Sequence, residues 1–170
     1  MDKRKWLLLG AMMASSLAWA GDVSVRWEKP DDYTDIRPTN ESREGFRDRV
    51  CKELGKVFEG YGKKLPDGVK LEISVLDLDL AGDVRPMMHG NNDIRIVKDI
   101  YWPRMTINYV LKDASGKVLS EATKEEIKDM NFLMASHIPT GNTSLFYEEK
   151  MLDDWFRNKQ RSGVFPKLPS

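Results

Sequence analysis

From Val23 to Glu28 apolar and polar residues alternate without a break: Val23, Val25 and Trp27 fall on one side, Ser24, Arg26 and Glu28 on the other. A period of two is that of a strand with one buried face, so the spacing predicts a strand that ends before Pro30. Asp31 to Asp35 read as loop. The period then lengthens. Phe46, Val50, Leu54, Val57, Phe58 and Tyr61 recur mostly three or four residues apart, which lays one apolar stripe along a helix and requires a surface for that stripe to pack on. Thr39 or Asn40 offers a side-chain oxygen to cap its first N–H groups, and Glu41 suits the positive end of the helix dipole. Gly60 and Gly62 end the helix near Tyr61, and Leu65-Pro66-Asp67-Gly68 has turn chemistry.

Alternation returns at Val69, Leu71, Ile73 and Val75, then slips by one residue to Leu76, Leu78 and Leu80. The slip places Asp77 and Asp79 on the face that Ile73 occupies, and a bulge or a strand leaving the sheet edge would accommodate it. Residues 82 to 93 are rich in Gly, Asn, Asp, Pro and Met and read as a long loop, after which Ile94, Ile96 and Val97 suggest a brief strand before Trp102-Pro103. Met105, Ile107, Tyr109 and Leu111 alternate with polar neighbours, and the turn Asp113-Ala114-Ser115-Gly116 leads into Lys117 to Thr123, the clearest hairpin of the chain. Residues 124 to 143 carry no decisive period, apart from the loop at Pro139 to Asn142. Leu145, Leu152, Trp155 and Phe156 mark one face of a closing helix started by Asn142, Thr143 or Ser144. The order β-α-β-(β)-β-β-α predicts an α+β fold, with two helices packed on one face of a small mixed sheet. With no internal repeat and no low-complexity linker, residues 21 to 170 read as a single globular domain.

Ahead of that domain stands a different kind of segment. Asp2-Lys3-Arg4-Lys5 precedes an apolar stretch from Trp6 to about Leu17, and Ala18-Trp19-Ala20 follows. Together they have the form of a secretory signal peptide, residues 1 to 20, cleaved after Ala20. The apolar stretch is shorter than the roughly 20 residues a membrane-spanning helix needs, and no later stretch approaches that length. The expected mature protein is therefore soluble, begins at Gly21, is periplasmic or secreted, and has no transmembrane segment. Across the whole chain 27 Lys and Arg balance 27 Asp and Glu, and removing the leader tips the remainder slightly acidic. Balanced charge without a basic block gives no electrostatic footprint for nucleic acid, so no nucleic-acid partner is expected. Cys51 is the only cysteine, so no internal disulfide can form and stability has to come from packing. No Leu-x-x-Cys stands at the end of the leader, so no lipid anchor is expected at the new N-terminus.

Several segments of the mature chain carry a family likeness. They are Val25-Arg26-Trp27-Glu28-Lys29-Pro30 with Tyr33-Thr34-Asp35-Ile36, Leu65-Pro66-Asp67-Gly68, Asp77-Leu78-Asp79-Leu80-Ala81-Gly82, Trp102-Pro103-Arg104 with Tyr109, and Tyr147 to Phe156. In these the chain resembles a family of exported bacterial proteins, domain of unknown function 3016, and they span nearly the whole mature chain. The resemblance implies a secreted single domain. It brings no activity and no catalytic residue with it.

Candidate chemistry is sparse. Asp77, Asp79 and Asp83 around Gly82 resemble the calcium loop D-x-[DN]-x-[DN]-G with Gly82 at its sixth position, but Ala81 stands at the fifth and Met88 at the twelfth, where ligands belong. These aspartates serve equally well to solvate a bulged strand end or to accept backbone N–H bonds. Met87-Met88-His89 sets two thioethers beside an imidazole, soft ligands that suit Cu(I), with no second cluster nearby and His137 alone. A nucleophilic triad has only His89 and His137 for a base, no G-x-S-x-G, and in Cys51 a thiol beside the helix's apolar stripe, where packing keeps it inert. Pairs such as Asp31 with Asp35 or Asp153 with Asp154 could do acid and base work, though among this many acids pairs arise by chance. Trp27, Tyr33, Trp102, Tyr147, Trp155 and Phe156 could line a groove. Most belong to core faces, and Trp102 is the exception, at a sheet edge or rim.

The sequence therefore points to an exported module that binds another protein or a cell-envelope component without catalysis, cofactor or metal. Residues 82 to 103 are its expected contact surface, since long irregular loops are often functional. Asp77, Asp79, Asp83, His89 and Trp102 are its candidate binding residues. The competing reading is a metal-binding protein or a hydrolase-type enzyme built on Asp77, Asp79 and His89. Geometry separates the two: convergence of those three side chains in a concave pocket favours the second, divergence the first. The sequence sets no oligomeric state.

Overall fold

Residues 21–86, 93–134 and 144–168 are described by the computed structural model. The leader, Met87, Met88, His89, His137 and the loop at Pro139 to Asn142 lie outside them. Strand β1 (Asp22–Trp27), helix α1 (Arg43–Gly60) and strand β2 (Lys70–Asp79) come first. The short strands β3 (Asp83–Pro86) and β4 (Asp93–Ile96) follow, then the long pair β5 (Arg104–Lys112) and β6 (Val118–Lys128), and last helix α2 (Phe146–Arg161). The main sheet has four strands in the order β1-β2-β5-β6, while β3 and β4 form a separate antiparallel pair. β1 lies parallel to β2 across the α1 crossover, and β2, β5 and β6 run antiparallel in turn.

Alternate residues of the strands feed one core. Val23, Leu71, Ile73, Val75, Ile107, Tyr109 and Leu111 are buried in register across β1, β2 and β5. Helix α1 meets them with Val50, Leu54 and Phe58, and α2 with Met151, Leu152, Trp155 and Phe156. Both helices therefore sit on one face, giving the expected α+β arrangement. The other face presents Ser24, Arg26, Glu72, Ser74 and Asn108, the polar pattern of a sheet with one solvated side. Where the helices meet, Tyr61 stacks on Phe156 with centroids 4.2 Å apart and Phe58 meets Trp155 edge-on at 6.4 Å. Each fully buried side chain of this size contributes roughly 1.5–3 kcal/mol, so this layer is the main source of stability.

β2 holds the irregularity that decides the rest. Its register with β5 shifts between Val75 and Asp77, so Leu76 is the extra residue of a β-bulge. Past it Leu78 pairs with Met105 and is fully buried, and Leu80 follows it inward. The slip in the pattern is thus a bulge, as expected, but its effect on the aspartates is the reverse. Asp77 and Asp79, opposite Thr106 and Arg104, lie on the face away from Leu78 and Ile73. Turning two carboxylates against the apolar core would cost several kcal/mol, far more than one disrupted ladder pair.

Other boundaries move for local reasons. Helix α1 starts at Ser42, whose Oγ accepts from Gly45 N at 3.1 Å, and Thr39 and Asn40 stay in the preceding loop. The brief strand expected around Ile94 and Ile96 is β4, and it pairs with β3, which forms from residues expected as loop, Val84 facing Arg95. Strand β6 runs past Thr123 to Lys128 through a second bulge, where Lys124 takes a φ of 53° and gives its N–H to Asn108 Oδ1 at 2.8 Å. That extra residue breaks the period of two, which explains why the sequence after Thr123 looks patternless. Helix α2 begins at Phe146 with Leu145 in the cap position and no side-chain cap.

Gly21 and Gly62 meet where β1 begins. A Cβ on Gly62 would fall on the Gly21 carbonyl oxygen, whereas one on Gly60, which has a helical φ of −59°, meets nothing within 4 Å. Gly60→Ala should raise stability by roughly 0.5–1 kcal/mol, and Gly62→Ala should lower it by roughly 1–3 kcal/mol. Urea unfolding midpoints at unchanged m-value check both.

Candidate functional site

Asp35, Asp79, Arg104 and Lys128 form one row across the end of the sheet. Asp35 bridges Asp79 in parallel, Asp79 pairs with Arg104, and Arg104 with Lys128. The connections 80–103 and 129–145 both leave from this row, while the far end of β5 and β6 closes in the tight turn from Asp113 to Lys117.

The bulge stitches this end to the start of the chain. The Val75 carbonyl accepts from Glu28 N at 2.9 Å and from the Tyr33 hydroxyl at 2.9 Å. Burial holds the Tyr33 phenol well above its ordinary pKa, so it remains a donor. Asp77 takes the Thr34 N–H at 2.7 Å and its hydroxyl at 2.6 Å. Asp35 N then donates to Leu78 O, and Leu80 N donates to Asp35 O. Pairing alongside β2 thus breaks off at Trp27 and resumes at Asp35.

The sequence-predicted residues are already engaged. Asp77 holds Thr34. Asp79 accepts from Arg104 Nε at 2.7 Å and lies 2.6 Å from its Nη2, yet burial pushes its carboxyl above the usual carboxylate range in spite of that pair. Asp83 accepts from Arg37 Nη2 at 3.1 Å and from Arg85 Nε at 2.8 Å. Trp102 is half-exposed and shares a hollow of about 220 Å³ with Asp79 and Arg104. Asp79 and Trp102 are therefore brought together, whereas Asp77 and Asp83 are tied to other segments; His89 lies outside the described residues. Among the described residues no three His, Cys, Asp or Glu are placed to hold a metal ion. Cys51 is half-buried on α1 with its thiol pushed up to about 11 by burial, so it is not a thiolate at neutral pH.

The residues that sequence reasoning misses surround a cleft of about 260 Å³ beside the row. Arg95 of β4 donates through Nη1 to Asp35 Oδ2 at 2.8 Å and through Nη2 to Arg37 O at 2.9 Å, which ties the small hairpin to the loop before α1. Asp35 is only 6% exposed. Burying such a pair costs about as much as its attraction returns unless further hydrogen bonds complete it, and Arg37 N supplies one at 3.1 Å. Glu148 of α2 is 2% exposed and accepts from Ala81 N at 2.7 Å. Burial pushes its carboxyl upward, and the Ala81 N–H offsets only part of that. Arg49 completes the rim, donating to Glu41 Oε1 at 2.6 Å and to Ser144 Oγ at 3.0 Å. Glu148 left a signal in the sequence: it stands three residues after Leu145 and four before Leu152, inside an apolar stripe where a carboxyl has to find a partner. Asp35 and Arg95 left none, because only the tertiary pairing of two loops brings them together.

The molecule is thus an α+β domain with its helices on one face and its longest connections gathered at one end. The chain belongs to the family described as protein of unknown function (DUF3016), whose model matches residues 21–158. No curated protein matches it. Among solved structures it is similar, at 14% identity, to a minor lipoprotein from Acinetobacter baumannii, over 89% of this chain and 99% of that one. The TM-score of 0.30 is too low to transfer a site or a role. No helix among the described residues is long and apolar enough to cross a membrane.

Because burial raises the pKa of Glu148, the folded state favours its protonated form. That contribution is fully present below the ordinary value of 4.5 and is lost as pH rises through the folded-state value. Glu148→Gln keeps an acceptor for Ala81 N without the charge. Its thermal midpoint should match the natural protein's at about pH 4 and exceed it increasingly toward neutrality. Glu148→Ala strands a buried N–H and should lose about 1–3 kcal/mol throughout. A pH-independent offset for the Gln variant would contradict this account.

Proposed function

We propose that the protein is an exported, non-enzymatic binding module whose contact surface is the loop end of the sheet. One observation carries the reading. Among the described residues nine large apolar side chains are exposed, and six of them, Ile94, Val97, Ile100, Met130, Leu133 and Met134, stand on the stretches between β3 and β5 and after β6. Ile100 is 60% exposed and Met134 85%. Scattered exposed apolar residues need no explanation, but gathered ones mark contact surfaces, and binding concentrates on loops held by a rigid scaffold. Asp77 is held by Thr34 and Asp79 by Arg104, and the proposed surface depends on neither. The leader at residues 1 to 20 supports action in the periplasm or outside the cell. The surface keeps part of the 82 to 103 segment that the sequence indicates and adds residues 130 to 134.

A photo-crosslinking side chain placed at Ile100 or Met134 in living cells should yield one adduct of defined larger mass, and the same group at Ser74 on the polar sheet face should not. Ile100→Asp should abolish the Met134 adduct while shifting stability by no more than about 0.5 kcal/mol, as expected for an exposed side chain. Recovery of monomer alone from both positions, or an equal adduct from Ser74, would refute the proposed surface.

A further inference from the structure

Strand β6 is an outer strand of the main sheet, with β5 on one side only. Its first half is broken by two register shifts, at Leu119 and beside Lys124, and such bulges turn an edge away from pairing. From Glu125 to Lys128 the strand is regular, opposite Ile107 to Arg104. Just beyond, Asp129 N donates to Pro103 O. Bonded and non-bonded pairs alternate along an antiparallel ladder, so counting back from Asp129 gives Ile127 and Glu125 their bonds to β5 and turns the N–H and C=O of Glu126 and Lys128 outward. Among the described residues nothing takes up those four groups. The largest cavity among the described residues, about 520 Å³, lies along them. Five consecutive residues, Glu125 to Asp129, line it, so it faces the open backbone itself, and the α2 stripe of Met151, Trp155 and Asn158 forms its other wall.

Charge decides what fits this edge. In the row across the end of the sheet Arg104 has Asp79 on one side and Lys128 on the other, so two cations stand side by side where the sheet stops. Like charges directly opposite are unfavourable. Among the described residues Lys128 has only Glu126, two residues back on its own strand at 3.4 Å, and both side chains are nearly half exposed. A second β6 laid antiparallel about a twofold axis through Ile127 sets Glu126 opposite the partner's Lys128, and Lys128 opposite the partner's Glu126. That register satisfies all four outward backbone groups and continues the row into an acid. It also sets Glu125 opposite the partner's Asp129, but each of these carboxylates already holds a lysine of its own, Lys159 and Lys150. We infer that two copies of this chain pair through β6, joining their four-stranded sheets into one continuous sheet with α2 facing its counterpart over the cavity. This goes beyond the contact surface proposed above, which adjoins the pairing edge at Met130.

The test is analytical ultracentrifugation, over a range of concentrations, of the protein purified from the cells that make it. A reversible equilibrium between monomer and dimer is expected. Glu126→Lys and Lys128→Glu should each weaken the dimer by at least about tenfold, because each sets like charges opposite one another at two symmetry-related places. The combined variant restores opposite charges and should return to within about threefold of the natural protein. Glu121→Lys, an equal change of charge on the irregular half of β6, should leave dimerisation unchanged. All three side chains are exposed, so thermal midpoints should not move, and the milder Lys128→Gln should weaken the dimer in the same direction. A monomer at every concentration, a dimer indifferent to both single substitutions, or a folded combined variant that stays monomeric would each overturn the assignment. The Glu126→Lys chain should still give the crosslink at Ile100, and loss of that crosslink leaves the sedimentation result untouched, so the two readings stand or fall separately.

Discussion

The bulge at Leu76 lets a single strand serve two environments. Up to Val75, β2 alternates against the helices on odd-numbered positions; beyond it, Leu78 and Leu80 continue inward on even ones. The strand remains apolar toward the core for its whole length while its two aspartates are released to the other side. An irregularity of this kind leaves backbone groups to be satisfied and interrupts the neighbouring strand. Here the repair comes from the loop after β1. Tyr33 and Glu28 satisfy Val75, Thr34 is capped by Asp77, and Asp35 takes up pairing again beside Leu78 and Leu80. The loop end of the sheet exists as an ordered surface because one extra residue created partners for it.

The small hairpin depends on this surface. Two strands alone are marginal in water, and β3 and β4 add few buried apolar side chains of their own. Their position is fixed by polar contacts: Arg95 on Asp35, Gly82 N on Tyr101 O, and Arg85 on the Tyr101 hydroxyl. Exposed ion pairs such as Arg26 with Glu28 contribute about 1 kcal/mol at most, but a largely buried pair excludes misplacement, since separating it would leave a charge without water or partner. The hairpin is therefore placed by electrostatic specificity on a scaffold stabilised by apolar packing.

What could be read from the sequence follows from which signals are local. The stripe from Phe46 to Tyr61, the alternation in β1 and β5, and the Asp113 to Gly116 turn each record their environment in consecutive residues, and all lie where the pattern places them. The slip at Val75 was legible as a bulge, yet the side to which Asp77 and Asp79 turn was not, because it depends on pairing with Met105 and Arg104 far along the chain. β6 beyond Thr123 is hidden by its own bulge at Lys124 and β3 by turn-forming residues that a short hairpin tolerates, whereas β4 shows through Ile94 and Ile96. Of the candidate site, Asp79 and Trp102 were found from composition and loop position. The cleft was not found, because Arg37, Arg49, Arg95 and Glu148 come from four separate segments with no shared spacing.

The topology also sets the order in which the chain can close. β1 is made first, but its pairing begins with Asp22 on Lys70, after the whole of α1 has been laid down. Helices in folded proteins are stabilised mainly by packing of their apolar face, and α1 meets the aromatic side chains of α2 only when Trp155 reaches Phe58 near the chain's end. Contacts this distant in sequence form slowly and late. The β5-β6 hairpin can close early on its own tight turn, whereas the parallel edge of the sheet and the helix layer wait for segments far along the chain.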